Sequence, residues 1–351
     1  MLRLPSFRLH QPATLAEAAQ ILATAGGNGE AARLVAGGTD LWPNLKRRHQ
    51  KAAEVVSLSR LPGLREVHAN GELHLGAMAT LTSIERHAAV RERFPALASA
   101  VGWISSPVLR NMGTIGGNVC LDTRCTYYNQ NEEWRQSISY CMKAEGKICW
   151  VAPSSPRCWA VQSADSAPML VALGARVRLV STAGEREIPI AALYHDDGMA
   201  YLTKRRDEIV TGIVVPEASD AAHCRTAFFK LRRRGSIDFG VLSVAVALWM
   251  DGEVVREARV VLGSIASLPS AAEEVAQALV GEKLTAETIA AAAAKARSAA
   301  TPMDNTDLDP RWRGQVTPVY VERTLREAAG LAPLAPMAPL APMAPTSGPP
   351  G

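Results

Sequence analysis

The chain has 351 residues, 48% of them hydrophobic and 21% charged, which is enough for a sizeable core and suggests two domains. A net charge of +4 is too mild to point to nucleic acid, and no uninterrupted apolar run reaches the roughly 18 residues of a membrane span. Met1 to His10 lacks the apolar core of a signal peptide, so the six cysteines are expected to be cytoplasmic thiols.

Thr14 to Ala25 predicts a helix. Thr14 caps it, Glu17 completes a capping box, and Ala18, Ala19, Ile21 and Leu22 form the core stripe before Gly26 and Gly27 stop it. Arg33 to Ala36 predicts a short buried strand running into Gly37 and Gly38. A helix follows from about Leu41, with Pro43 tolerated in its first turn. Lys46, Arg47 and Arg48 read as its solvated face. Strands are expected at Val55–Leu58 and Leu73–Gly76, and helices at Ser83–Glu92 and Pro95–Val101. Met112 to Val119 is glycine-rich, whereas Cys120 to Ala160 is polar, aromatic and cysteine-bearing without a clear period. Pro168 to Val180 returns to helix and then strand.

Pro216 to Ala222 reads as a linker. Beyond it, strands at Phe228–Arg233, Val241–Met250 and Arg256–Leu262 precede alanine-rich helices near Ala271–Val280, Ala286–Ala299 and Tyr320–Ala329. Strands followed by helices indicate an α+β layer. From Pro333 to Pro345 a proline recurs at every third residue, a polyproline pattern that buries nothing, so the end of the chain is expected to be a disordered tail.

Two glycine segments carry chemistry. Val35-Ala36-Gly37-Gly38-Thr39-Asp40-Leu41 lies between a strand and a helix start, where backbone N–H groups can approach an anion. Thr114-Ile115-Gly116-Gly117-Asn118 offers the same donors plus a hydroxyl and an amide. Neither matches the six-residue dinucleotide fingerprint or a P-loop, and one Gly-Gly pair alone reads as a tight turn. Two such segments suit a diphosphate held from both sides.

A-G-G-T-D-L followed by L-R-N-M-G-T-I-G-G-N resembles the FAD subunits of the xanthine dehydrogenase family of molybdenum hydroxylases. Ala164-Asp165-Ser166-Ala167-Pro168 and Phe228-Phe229-Lys230, with Arg232 and Arg233, extend the resemblance over residues 1–329. It implies an α+β fold: a two-part FAD-binding domain of the vanillyl-alcohol-oxidase-like (PCMH-type) class over 1–218, then a smaller α+β domain over 223–329, with a tail from 330 to 351. It also implies that FAD is contacted by Val35, Ala36, Gly37, Gly38, Thr39, Asp40 and Leu41, by Thr114, Ile115, Gly116, Gly117 and Asn118, and by Asp165 and Lys230.

Cys125, Cys141, Cys149 and Cys158 fall in one stretch, 120–160, that interrupts the family pattern. Their gaps are longer than those of zinc-binding cysteine pairs, while iron–sulfur spacings vary more; spacing by itself leaves both open. L-D-T-R-C-T-Y-Y-N-Q, then Tyr140-Cys141, Cys149 and Arg157-Cys158, resembles the β subunits of the 4-hydroxybenzoyl-CoA reductase branch of the family. That resemblance implies a [4Fe–4S] cluster on the four cysteines. It also implies a molybdopterin-binding large subunit, a [2Fe–2S] small subunit and ferredoxin as donor, for reductive dehydroxylation of 4-hydroxybenzoyl-CoA to benzoyl-CoA in anaerobic aromatic degradation. Cys120 and Cys224 match no ligand position, and no residue of this chain is expected to be catalytic. Two alternatives stand beside it: the FAD subunit of an oxidative molybdenum hydroxylase, and a flavin-free interaction scaffold stapled by zinc.

Overall fold

The computed structural model describes residues 2–25, 32–217 and 224–334. The expected helix stop at Gly26 and Gly27, most of the expected linker and the tail beyond 334 lie outside the described residues.

The first layer is a parallel sheet of β1 (Arg8–His10), β2 (Arg33–Val35) and β3 (Glu54–Ser57), ordered β1-β3-β2. Helix Leu15–Thr24 connects β1 to β2. The Thr14 hydroxyl accepts from Glu17 N–H at its N-terminus, and the Glu17 carboxylate accepts from Ala13 N–H at 2.9 Å rather than from the capping residue itself. Ala18, Ala19 and Leu22 bury against Val56 and Leu58. Helix Leu41–Lys46 makes the second crossover, with Lys46, Arg47 and Arg48 exposed at its end.

The second layer is antiparallel: β4 (Val67–Asn70), β5 (Glu72–Gly76), β6 (Arg176–Ser181), β7 (Gly184–Pro189) and β8 (Ile209–Val215), ordered β4-β5-β8-β6-β7. Between β5 and β6 the chain leaves the sheet to form both the second glycine segment and the cysteine-bearing stretch. The helix expected over Ser83–Glu92 is two helices, Leu81–Arg86 and Ala88–Arg93, because His87 between them is extended. A short helix, Glu132–Ser137, capped by Asn131, breaks the otherwise irregular cysteine-bearing stretch.

The third layer is antiparallel, ordered β12-β11-β10-β9, from β9 (Cys224–Leu231), β10 (Leu242–Asp251), β11 (Val254–Gly263) and β12 (Ser270–Ala271). Every residue of β10 except Asp251 is buried. Leu242, Val244, Val246 and Leu248 face the C-terminal helices, whereas Ala245, Ala247 and Trp249 join the large core that holds Leu97 and Met169. A strand covered on both faces shows no alternation, which is why Val241–Met250, apolar except at Ser243, carries no period of two. The last helix, Pro310–Ala329, is longer than the expected Tyr320–Ala329. Pro310 occupies its first turn, and Pro318 is accommodated mid-helix among buried Val316, Thr317, Tyr320 and Val321. No helix among the described residues is long and apolar enough to cross a membrane.

Candidate functional site

A cleft of about 800 Å³ collects both glycine segments. Ala36 through Leu41, Thr114, Gly116, Gly117, Asn118 and Asp165 all line it. The first segment is the turn from β2 into helix Leu41–Lys46, at the carboxyl end of a parallel strand, where open sheets bind ligands. Gly38 has φ +72°, and a side chain there would also strike the Trp42 indole. A side chain on Gly37 would run into the Met112 carbonyl, so the two glycine segments press together at this point. The N–H groups of Gly38, Thr39 and Asp40 make no hydrogen bond within the described residues, and they remain available to an anion.

The second segment is built differently. Ile115 N–H donates to Ala79 O at 3.0 Å, Gly116 N–H to Ala77 O at 2.9 Å, and Gly117 N–H to the Thr114 hydroxyl at 3.1 Å. Asn118 N–H donates to Thr114 O at 2.9 Å. Its amides are therefore committed to the protein, against the expectation that both segments present free donors. Its contribution to the cleft is a close glycine wall and the Asn118 side chain. Asn118 Oδ1 accepts from Ser166 Oγ at 2.6 Å, and its NH2 group makes no bond within the described residues.

Three expected contact residues do not line the cleft. Val35 packs with Leu45 and Val55, and Ile115 is fully buried in the main core. Each points away because its neighbour in the chain faces the cleft. Lys230 stands behind Asp165, donating to Asp165 Oδ2 at 2.6 Å and to Trp103 O at 3.2 Å. Asp165 Oδ1 is buried without a partner among the described residues. Burial pushes the Asp165 carboxyl above its ordinary range, against the opposing pull of Lys230. An orphaned carboxylate oxygen, three unengaged amides and a free carboxamide NH2 form a donor and acceptor set that fits a dinucleotide such as FAD.

Sequence reasoning missed other walls of the cleft. Ser163, Tyr201, Arg206, Ile237 and Phe239 all line it, from loops distant in sequence and without a local pattern that would mark them. Asp40 is less available than expected, because it is paired with Arg124 and accepts from Asn44 Nδ2 at 2.8 Å. Burial raises the Asp40 carboxyl, with Arg124 opposing.

Arg124 adjoins the cysteine cluster. Cys125, Cys141, Cys149 and Cys158 are each between 4% and 6% exposed, none is in a disulfide, and all four line one small cavity. Tyr128 and Trp150 close it from the side, and the Trp150 indole donates to Tyr140 O at 2.9 Å. Burial pushes the Cys125 thiol up to about 12 and the Cys158 thiol up to about 11. Buried thiols of this kind ionise when a metal neutralises them. Among the described residues, no three His, Cys, Asp or Glu side chains are grouped to hold a metal ion. Four thiols set among aromatic and aliphatic side chains, with Lys143 as the one charged neighbour among the described residues, fit an iron–sulfur cluster in donor chemistry. Cys120 lines the cleft instead, and Cys224 lies on β9, so neither joins the four.

Residues 5–218 match the family described as the FAD binding domain in molybdopterin dehydrogenase. The chain belongs to that family. Residues 227–328 match the CO dehydrogenase flavoprotein C-terminal domain. Among curated members, the nicotinate dehydrogenase FAD-subunit of Eubacterium barkeri is 28% identical over 74% of this chain and 75% of its own length. The carbon monoxide dehydrogenase medium chain of Hydrogenophaga pseudoflava is 26% identical over 92% of this chain and 97% of its own. A solved structure of carbon monoxide dehydrogenase from Hydrogenophaga pseudoflava superposes with a TM-score of 0.74 at 26% identity, covering 93% of this chain and 99% of that one. As a member of the molybdopterin dehydrogenase FAD-binding family, the chain is an FAD-binding oxidoreductase subunit. That places it outside the flavin-free scaffold class.

Proposed function

We propose that this chain is the electron-relay subunit of a molybdenum hydroxylase-type complex, with FAD in the glycine-lined cleft and a [4Fe–4S] cluster on Cys125, Cys141, Cys149 and Cys158. Its partners are a molybdopterin-binding large subunit and a [2Fe–2S] small subunit. The FAD-binding domain spans 1–218 and the smaller domain 223–329, which the extents of the two family matches support. The observation that carries the flavin site is the convergence of both glycine segments and Asp165 on one cleft.

When bound, FAD supplies exchange between one- and two-electron carriers. The protein's part is positioning and electrostatics. The amides of Gly38, Thr39 and Asp40 face an anionic diphosphate from the turn after β2. The glycine wall at Gly116 and Gly117 permits close approach, and Asn118 donates from the side. Asp165 Oδ1 would accept a hydrogen bond from the cofactor, with Lys230 fixing the other oxygen.

The two curated relatives named above are dehydrogenase subunits, which favours an oxidative complex in which electrons leave through this subunit. The four-thiol nest favours a second reading, the reductive one, with ferredoxin as donor and 4-hydroxybenzoyl-CoA as the large subunit's substrate.

Iron, sulfide, zinc and flavin assays on anaerobically purified protein test the cofactors. Cys→Ser at each of the four positions should remove one cluster's worth of iron and leave FAD bound, whereas Cys120→Ser and Cys224→Ser should remove none. Zinc in place of iron would end the cluster assignment. Reduction of the complex by ferredoxin, against oxidation by NAD⁺ or O₂, separates the two directions.

A further inference from the structure

Lys143 stands in the wall between the cleft and the thiol nest. It is the only charged side chain lining the nest among the described residues. Its side chain is 7% exposed and ion-paired with Asp122. Nζ donates to Asp122 Oδ1 at 2.8 Å, to Thr123 Oγ1 at 2.8 Å and to Gly198 O at 2.7 Å, so all three ammonium protons are engaged. The nitrogen also lies 5.1 Å from the Tyr128 ring centroid and 5.4 Å from that of Tyr201. Tyr128 lines the nest, whereas Tyr201 and Asp122 line the cleft. The cation is therefore held by several fixed partners, with one redox site on either side.

We propose that the Lys143–Asp122 pair sets the reduction potential of the four-thiolate centre. This rests on the iron–sulfur assignment made above. Four thiolates leave an iron–sulfur cluster with net negative charge, and one-electron reduction adds another. A fixed cation at the edge of a buried site stabilises the reduced state, and low dielectric strengthens the effect. Asp122 acts in the opposite sense: its carboxylate offsets part of the Lys143 charge. Burial works to raise the Asp122 carboxyl, but Lys143 holds it below its ordinary range. Lys143 is thus a positioning and tuning residue that exchanges no electron and forms no bond with iron.

The test is a potentiometric titration of the anaerobically purified complex, with the four-iron signal followed by electron paramagnetic resonance, and with iron content and melting temperature recorded. At the wild-type midpoint, Lys143→Met should lower the ratio of reduced to oxidised cluster about tenfold, equivalent to a fall of about 59 mV for one electron. Lys143→Arg, which keeps the charge, should stay within about twofold of wild type. Asp122→Asn should move the ratio the other way, raising it about threefold. A purely structural role for the pair would not give opposite signs. If Lys143→Met fails to load iron, Asp122→Asn decides alone. A Lys143→Met protein with full iron and an unmoved midpoint, or an Asp122→Asn protein that does not rise, overturns the inference. A wild-type protein without iron overturns the cluster assignment and this inference together.

Discussion

The two glycine segments of the cleft share a Gly-Gly pair and a nearby threonine, yet they are built for different tasks. After β2 the amides of Gly38, Thr39 and Asp40 are unengaged among the described residues, and Gly38 needs its left-handed backbone to present them. In the second segment the amides from Ile115 to Asn118 all bond inside the protein, and glycine is required for contact: a side chain on Gly116 would meet Ala77 at 2.7 Å. One segment leaves its amides open to the cleft, and the other packs. Identical letters in a sequence do not fix whether an N–H faces a ligand or a carbonyl.

The sharpest break in that symmetry is Gly38→Val. A branched residue at φ +72° that also collides with Trp42 should weaken FAD retention by about a hundredfold or more, combining backbone strain with lost amide contacts. Flavin absorbance after gel filtration reads this directly. Retention at the wild-type level would move the binding role elsewhere. Asp165→Asn comes next. It leaves the Lys230 ammonium buried without its partner carboxylate, at a cost of about 3 kcal/mol, seen as a lowered melting temperature together with weaker flavin binding. Burial raises the Asp165 carboxyl above its ordinary range, so the folded chain holds this proton more readily than the unfolded one; the group's own contribution favours the fold below the ordinary aspartate range and is lost as pH rises through the raised pKa, read as the pH dependence of the melting temperature.

The smallest effects belong to the second segment. A Cβ on Gly117 would meet only the Thr114 hydroxyl, at 3.1 Å, so Gly117→Ala should weaken FAD by less than about tenfold. Thr114→Ala removes a helix cap and should cost about 1 kcal/mol of stability, measurable by denaturant midpoint, with flavin affinity nearly unchanged. Gly117→Ala matching Gly38→Val in its effect on flavin would restore the equivalence that the hydrogen bonds deny.

Much of the fold could be read where a local rule acts alone. Thr14 and Glu17 announce a helix start, whereas the last helix was read only from Tyr320, ten residues after its start at Pro310, where Asp309 caps it. The short β1 and β4 strands were not legible, because three or four residues carry too little period to separate from a loop. Helix Glu132–Ser137 was masked by polar composition, and Asn131 was its one local sign. At the site, the glycine segments, Asp165 and the four cysteines were visible as motifs. Their walls, such as Tyr201, Ile237 and Phe239, were not, since they arrive from distant loops. The free amides of one segment and the committed amides of the other depend on partners such as Ala77 and Ala79, far away in sequence.

The doubly covered β10 strand has a mechanical consequence. Ala245, Ala247 and Trp249 share one continuous apolar core with Leu97, Met169 and the β6 residues Val177 and Leu179, so the two family-defined halves of the chain cannot part without exposing that core. The Lys230–Asp165 pair crosses the same boundary. Heat should therefore unfold the described body in a single calorimetric transition, with flavin released in the same step. A chain cut near residue 218 should be prone to aggregation, because the helix Ser166–Ala172 that follows Asp165 would lose its cover.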